Sequence, residues 1–486
     1  MPGPGTALLA TLAFAGLVLC TAAWLRGAEY DEQYTLFLTA GIVRPAWPLT
    51  AFPAGTVSAL QEGHASLPEI ATALRTTDVH PPLYFWAAAL WRAVLGPSLF
   101  AARLFSVLCG LLSLIFVGAI ARRCGIRAGT AMVLTLGCYG FAYTAIIARG
   151  FAPAQALTLG AICLLTGRRR PHAVIAAGAL FGAAAACNYL AVFVALSVGL
   201  AGCIRSRRFW LLLAGAAPFL ALDAWFFAAQ HGARDGQFPP FILSSALPRL
   251  AGYQIASLYG GLPLYADGTA RIAMGFAIAA LGLALAAIIL LERPWSAPFR
   301  IRLLATAAVA PPAGLLVLGI IFNNTPIELR YLSFGTPFLA LLIAWACHRR
   351  RGAAPLIVVT AAVQAAAIIG LAIAPATMQP ARDAARAAAG LADGGVVLVP
   401  LGNDGVGIVG AFGIEAPPDL PLLVVRPTDT PADIQARLLP YPRVVLALLG
   451  QDRDSIATLP IMRRAVAGTG WRRIAAGSTI EAYQRE

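Results

Sequence analysis

Long uncharged apolar runs, repeated along most of the chain, constrain this sequence more than any other feature. Thr6 to Leu25 is the first, about 20 residues without a charge. At 1.5 Å per helical residue it is long enough to cross a hydrocarbon core of about 30 Å. Inside lipid every backbone N–H and C=O needs an internal partner, so only helices and closed barrels span a bilayer. The runs do not alternate apolar with polar, which excludes a barrel. The expected fold class is a polytopic α-helical membrane protein. Its composition, 59% hydrophobic and 12% charged, agrees, because a soluble chain of this length carries more charge.

Eleven spans are predicted, at 6–25, 98–121, 128–147, 151–167, 172–187, 189–204, 209–229, 270–291, 303–322, 332–347 and 354–374. The sequence has no Lys, so all of its basic side chains besides His are Arg. The formal charge of +14 is therefore not read as a nucleic-acid signal. Arg122/Arg123/Arg127, Arg168/Arg169/Arg170, Arg205/Arg207/Arg208, Arg293/Arg300/Arg302 and Arg349/Arg350/Arg351 fall in every second loop. Those loops are expected in the cytoplasm, and 26–97, 230–269, 323–331 and the tail outside it. This parity requires that 82–96, short and aromatic, lie at the interface with Trp86 and Trp91 at headgroup level. The eight cysteines lie in or beside apolar spans and form no disulfide or metal-knuckle pattern. The first run has no basic segment before it and reads as a retained helix.

The spans make one domain, 1–374, whose first outer loop is 26–97. The tail, 375–486, changes character. Val396–Val399, Leu422–Val425 and Val444–Leu448 read as buried strands, with helices at 382–391, 431–439 and 456–467. Strands alternating with helices predict a small α/β extracytoplasmic domain. Gly402 to Gly407 lacks the glycine order of a dinucleotide site and a following amphipathic helix.

The polar residues expected on the outer face are Asp31, Glu32, Asp78, His80, Arg103, Arg149, Glu328, Arg330 and Tyr331. Carboxylates at the mouth of a span are costly unless water, a partner or a substrate meets them. Arg103 lies in the first turns of a span, and its expected partner is a phosphate or one of these carboxylates. Structural roles stay open for each. His80 could shape the turn, Arg149 could snorkel to the headgroups, and Arg330-Tyr331 could anchor a helix end.

Asp31-Glu32 after the first span, Asp78-Val-His-Pro-Pro-Leu83 in the same loop and Arg103 opening the second span resemble the GT-C superfamily of membrane glycosyltransferases. The nearest resemblance is to the protein O-mannosyltransferase and aminoarabinose or galacturonosyl lipid A transferase group. Ala101 to Gly110 and Arg330-Tyr331-Leu332 with Pro337 extend it, over roughly 1–375 in architecture.

The resemblance implies a GT-C fold and a polyprenyl-phosphate sugar donor, undecaprenyl phosphate in a bacterium. It implies inverting transfer at the periplasmic face of the cytoplasmic membrane. Asp31 resembles the catalytic base and Glu32 its partner. Asp78 and His80 resemble the second motif of the loop, and Arg103 the arginine near the start of span two. The chemistry agrees with those assignments: an attacking hydroxyl must lose a proton to a base, and a leaving phosphate needs fixed cations, here Arg103 with Arg149 or Arg330. Glu32, Asp78 and His80 could also ligate a divalent ion. The chain departs from the eukaryotic mannosyltransferases in lacking Lys and a large insertion at 230–269, which argues against protein mannosylation. The acceptor is left open among lipid, glycan and protein. A flippase for lipid-linked sugars and a non-catalytic scaffold are the alternative readings.

Overall fold

The computed structural model describes residues 4–167, 170–202, 207–230, 239–350, 352–374, 377–450, 452–468 and 470–486. Arg168, Arg169, Arg205, Arg351 and the start of the tail at Pro375, all named above, and Cys203, one of the eight cysteines, lie outside the described residues. The chain parts into two compact units interleaved in sequence. One comprises 1–25, 71–87 and 103–377; the other comprises 26–70, 88–102 and 378–486.

The first unit is helical. Every run predicted to span is helical in the described residues, and seven helices are long and apolar enough to cross a membrane. An eighth span is made if Ala128–Gly137 and Tyr139–Ile146, bent by 71° at Cys138, count together. The helices Phe151–Thr166 and Pro171–Cys187, of 16 and 17 residues, are shorter than that. At 1.5 Å per residue they rise about 25 Å, a little less than a hydrocarbon core. Pro171–Cys187 packs on Arg207–Gln230 through small residues. A Cβ on Gly178 would stand 2.0 Å from the Leu212 carbonyl oxygen, and one on Gly215 2.0 Å from that of Ile175. Glycine at both points lets the two backbones touch, the usual way helices associate where lipid offers no hydrophobic drive.

The second unit is built on a six-stranded sheet. Its strands are β1 (Phe52–Pro53), β2 (Val396–Pro400), β3 (Pro421–Val425), β4 (Arg443–Ala447), β5 (Trp471–Ala476) and β6 (Ile480–Arg485), in the order β1-β3-β2-β4-β6-β5. β2 pairs parallel with β3 and β4, and the remaining pairs are antiparallel. The three parallel strands are those the sequence shows, because strands buried on both faces read as unbroken apolar runs. Val397, Val399, Leu422 and Val424 face one core; Val396, Leu398, Leu423 and Val425 face the other.

The first core is completed by the first outer loop. Tyr30, Phe37, Trp47, Phe52 and Val57 pack against those strands, the helix Ala381–Leu391 and the helix Gly407–Glu415. Trp47 stacks on Phe52 with ring centroids 5.5 Å apart and donates to the Gly405 carbonyl at 2.6 Å. Residues 26–70 and 88–97 of the loop therefore fold with the tail, whereas the sequence grouped them with the spans, and 71–87 stays with the helical unit. A loop too short to bury its own aromatics finds cover on the sheet. Gly413 permits the fit: a Cβ there would stand 2.3 Å from Val57. β1, β5, β6 and Gly407–Glu415 were not predicted. β1 is two residues long, β5 carries two Arg and a register shift, and the helix is buried on nearly every face and shows no polar stripe.

Candidate active site

In the second unit, Asp31 and Glu32 occupy the first turn of the helix Tyr30–Ala40. Acidic residues are favourable there, where unpaired N–H groups and the helix dipole present positive charge. The two acids have different fates. Glu32 is wholly buried, and its Oε2 accepts from the backbone N–H of Glu29 at 3.0 Å, one half of a capping box. Asp31 is half-buried.

Around them lies a cluster of buried and half-buried charges that the sequence did not flag. Arg26 pairs with Glu29 in the turn entering the helix. Glu415 accepts from the backbone N–H of Ala28 at 2.7 Å through one oxygen and from Arg382 Nε at 2.7 Å through the other. Gln379 accepts from the backbone N–H of Tyr30. Burial, and then the charges of Glu29 and Asp452, push the Tyr30 phenol above its usual range. The far end of the helix is held by Arg92, which is 2% exposed and donates to the carbonyls of Leu36 at 2.9 Å and Gln61 at 2.6 Å and to the Thr39 hydroxyl. Arg92 thus occupies the carbonyl end of the helix, where a cation is favourable. The helix carrying Asp31 is clamped at both ends.

In the first unit, the turn Asp78–Pro82 meets residues from distant spans. Asp78 Oδ1 lies 2.7 Å from His80 Nδ1, and Arg149 Nη2 lies 2.7 Å from His80 Nε2. A guanidinium can only donate, so Nε2 is the acceptor and Nδ1 carries the hydrogen that goes to Asp78. His80 is then a neutral ring held in one tautomer, and it aims Arg149, which is 6% exposed. Gln230 sets the turn's backbone. Its Nε2 donates to the carbonyls of Leu74 and His80, each at 2.9 Å, and its Oε1 accepts from the Tyr189 hydroxyl at 3.0 Å. At the Arg149 corner Gly150 is required, since a Cβ would stand 2.3 Å from the Cys187 carbonyl oxygen.

Arg330 pairs with Glu328 at 2.7 Å and lies 5.5 Å over the Tyr331 ring. Tyr331 stacks on Phe151, two residues beyond Arg149, at 6.2 Å. Burial pushes the Glu328 carboxyl up against the opposing pull of Arg249. Arg103 is 2% exposed, and its Nη1 donates to the Ala23 carbonyl at 2.8 Å. That carbonyl is among the last of the first helix, Pro4–Leu25, where a cation satisfies a group the helix cannot. This is a partner the sequence had not suggested for Arg103. One turn on, the Ser106 hydroxyl donates to the Ile147 carbonyl at 2.7 Å and ties the same helix to the Arg149 corner.

The divalent ion considered from sequence does not fit these residues. Both His80 nitrogens are engaged, Glu32 caps its helix, and among the described residues no three His, Cys, Asp or Glu side chains converge on a common point.

Residues 79–227 match the family model described as dolichyl-phosphate-mannose-protein mannosyltransferase. No curated protein matches the chain. Among solved structures, ArnT from Cupriavidus metallidurans bound to undecaprenyl phosphate is similar, with 12% identity, a TM-score of 0.58 and coverage of 99% of this chain and 98% of that one. The same protein in the apo state matches at 13% identity and a TM-score of 0.56, with the same coverage. The Archaeoglobus fulgidus oligosaccharyltransferase, at 11% identity over 99% of this chain and 74% of that one, has a TM-score of 0.43. In fold this multi-pass membrane chain resembles ArnT, and its segment 79–227 resembles the dolichyl-phosphate-mannose-protein mannosyltransferase family.

Proposed function

We propose that this protein transfers a sugar from a polyprenyl-phosphate donor, undecaprenyl phosphate in a bacterium, to an envelope acceptor. Asp31 is the general base, and the anomeric carbon inverts. The observation that carries this reading is the contrast within the acidic pair: Glu32 is buried in its own helix cap, while Asp31 stands half-buried on the same rigid turn. The ArnT structure of the same fold, bound to undecaprenyl phosphate, supports the donor class.

In the proposed reaction the acceptor hydroxyl attacks C1 of the sugar and its proton passes to Asp31. The new C1–O bond forms as the bond from C1 to the phosphate oxygen breaks. Polyprenyl phosphate leaves with the bonding pair. Its charge is met by Arg149, whose guanidinium is oriented in advance by His80 and Asp78, with Arg330 and Arg103 as further cations. Preorientation matters because a donor aimed before the reaction costs no reorganisation during it. The protein sits in the cytoplasmic membrane with this chemistry at the periplasmic face, where lipid donor and wet acceptor are both available.

The test is transfer by purified protein in nanodiscs, using a panel of radiolabelled undecaprenyl-phosphate sugars. Lipid A core, glycolipid, glycan and protein extracts serve as acceptors. Transfer by the wild type and about a hundredfold less or lower still by an equally folded Asp31→Asn variant is expected. Equal transfer by both removes Asp31 as base. Transport of intact donor without transfer moves the protein to the flippase reading.

A further inference from the structure

Two neighbouring hollows follow one helix pair, Ala128–Gly137 and Ala354–Ile373, and their chemistry differs. The first, about 440 Å³, opens at the N-terminal ends of both helices and is lined by Arg127, Thr130, His348, Arg350 and Val358. The second, about 390 Å³, is lined by residues further along the same helices and by the first span, and it is almost wholly apolar. The lining is continuous. Ile357, Ala361, Gln364 and Ile368 step along one helix at three- and four-residue intervals, and Thr130, Val133 and Gly137 do so along the other. Residues at that spacing share one face. A cationic hollow therefore leads directly into an apolar groove.

We propose that this seam binds one anionic phospholipid, its phosphate at Arg127, His348 and Arg350 and an acyl chain along the groove. Charge favours the head position. Neither helix start carries a side-chain cap, so both positive helix ends add to the Arg side chains. Glu292 is shared between Arg349 at 3.1 Å and Arg350 at 3.3 Å, one carboxylate against two guanidiniums, which leaves the balance positive. The surroundings favour a lipid over a soluble anion. Val358, at the mouth, is 68% exposed on a membrane span, so lipid faces it. The stretch from Ala354 to Ala372 rises about 27 Å, which exceeds the roughly 15 Å that one leaflet's chains occupy. No water-soluble anion would fill both hollows.

The experiment uses the full chain in phosphatidylcholine nanodiscs. Retained lipid is counted by native mass spectrometry and the melting temperature recorded. Phosphatidylglycerol is expected to be retained and to raise the melting temperature above phosphatidylcholine of the same chains. Glycerol phosphate and inorganic phosphate are expected to do neither. Arg127→Gln is expected to weaken retention roughly five-fold, the weight of one cation near an anionic lipid surface. Ala365→Trp fills the groove at an exposed position, so the fold tolerates it, and it is expected to weaken phosphatidylglycerol with the head hollow intact. Equal retention of phosphatidylcholine, an equal effect of glycerol phosphate, or unchanged binding by both folded variants would overturn the proposal.

Discussion

The side-chain pairs of the acidic corner at 26–33 and of the basic turn at 78–80 with Arg149 differ in how far along the chain they reach. In the acidic corner Arg26, Glu29 and Glu32 answer one another at three-residue spacing, within one helix start. In the basic turn His80 reaches Arg149 across 69 residues, and Gln230 reaches His80 across 150. The corner's ion pair and cap close within one helix start, while Glu415 and Gln379 supply distant acceptors only to its backbone N–H groups. A turn wired from distant spans holds its geometry only while the bundle is packed. The difference locates where mutation should cost chemistry and where it should cost stability.

The largest expected effect is on Asp31. Asp31→Asn should lower transfer by about 10²- to 10⁴-fold, the range a general base supplies, with an unchanged melting temperature. An equal fall in stability would show that Asp31 belongs to the cap after all. Next comes Arg149. Arg149→Gln should reduce kcat by roughly 10²- to 10³-fold, the usual loss on removing one fixed donor to developing charge. Arg149→Lys should recover little, because an ammonium lacks the fork that His80 orients. Full rescue by Lys would mean that charge alone matters and that His80 aims nothing.

Gln230→Leu should cost about 1–3 kcal/mol, since the carbonyls of Leu74 and His80 and the Tyr189 hydroxyl all lose a buried partner. Thermal unfolding and a rise in KM read this together, and a silent substitution would break the contrast between distant and local wiring. Glu32→Ala should cost about 1 kcal/mol through the lost cap and leave measurable transfer. Abolished transfer at full stability would instead make Glu32 a chemical participant.

The smallest effect is a pH dependence in the sheet unit. Burial pushes the Glu481 carboxyl up, but hydrogen bonds from Arg463 at 2.9 Å and from the Tyr483 hydroxyl outweigh it and hold the carboxyl below its ordinary range. A depressed carboxylate contributes stability that is full above the unfolded value, near 4.5, and is lost as pH falls through the folded value. Wild type should thus lose stability below that point more steeply than Glu481→Gln. Parallel curves would assign the acid loss to other groups.

The spans were legible because lipid imposes one rule on every backbone group, and the rule writes itself as length and apolarity. The three parallel strands were legible for a similar reason. β5 was not, since its outward arginines hide a strand's alternation; nor was β6, which buries Ile480, Glu481 and Ala482 in succession, and β1 makes sense only as an addition to β3. Asp78, His80 and Arg149 were each visible as candidates, and their hydrogen-bonded chain was not. Arg26, Arg92, Arg382 and Glu415 look like ordinary charges until burial shows each to be matched.

From the order of residues alone come the membrane helices, the parallel strands, the polar residues worth weighing and a resemblance carried by short motifs. Tertiary structure alone divided the acidic pair into a buried cap and a half-buried carboxylate, because one residue along a helix turns a side chain by 100°. It also joined residues 26–70 of the first outer loop to the sheet, because aromatics without a core of their own gain most by completing another.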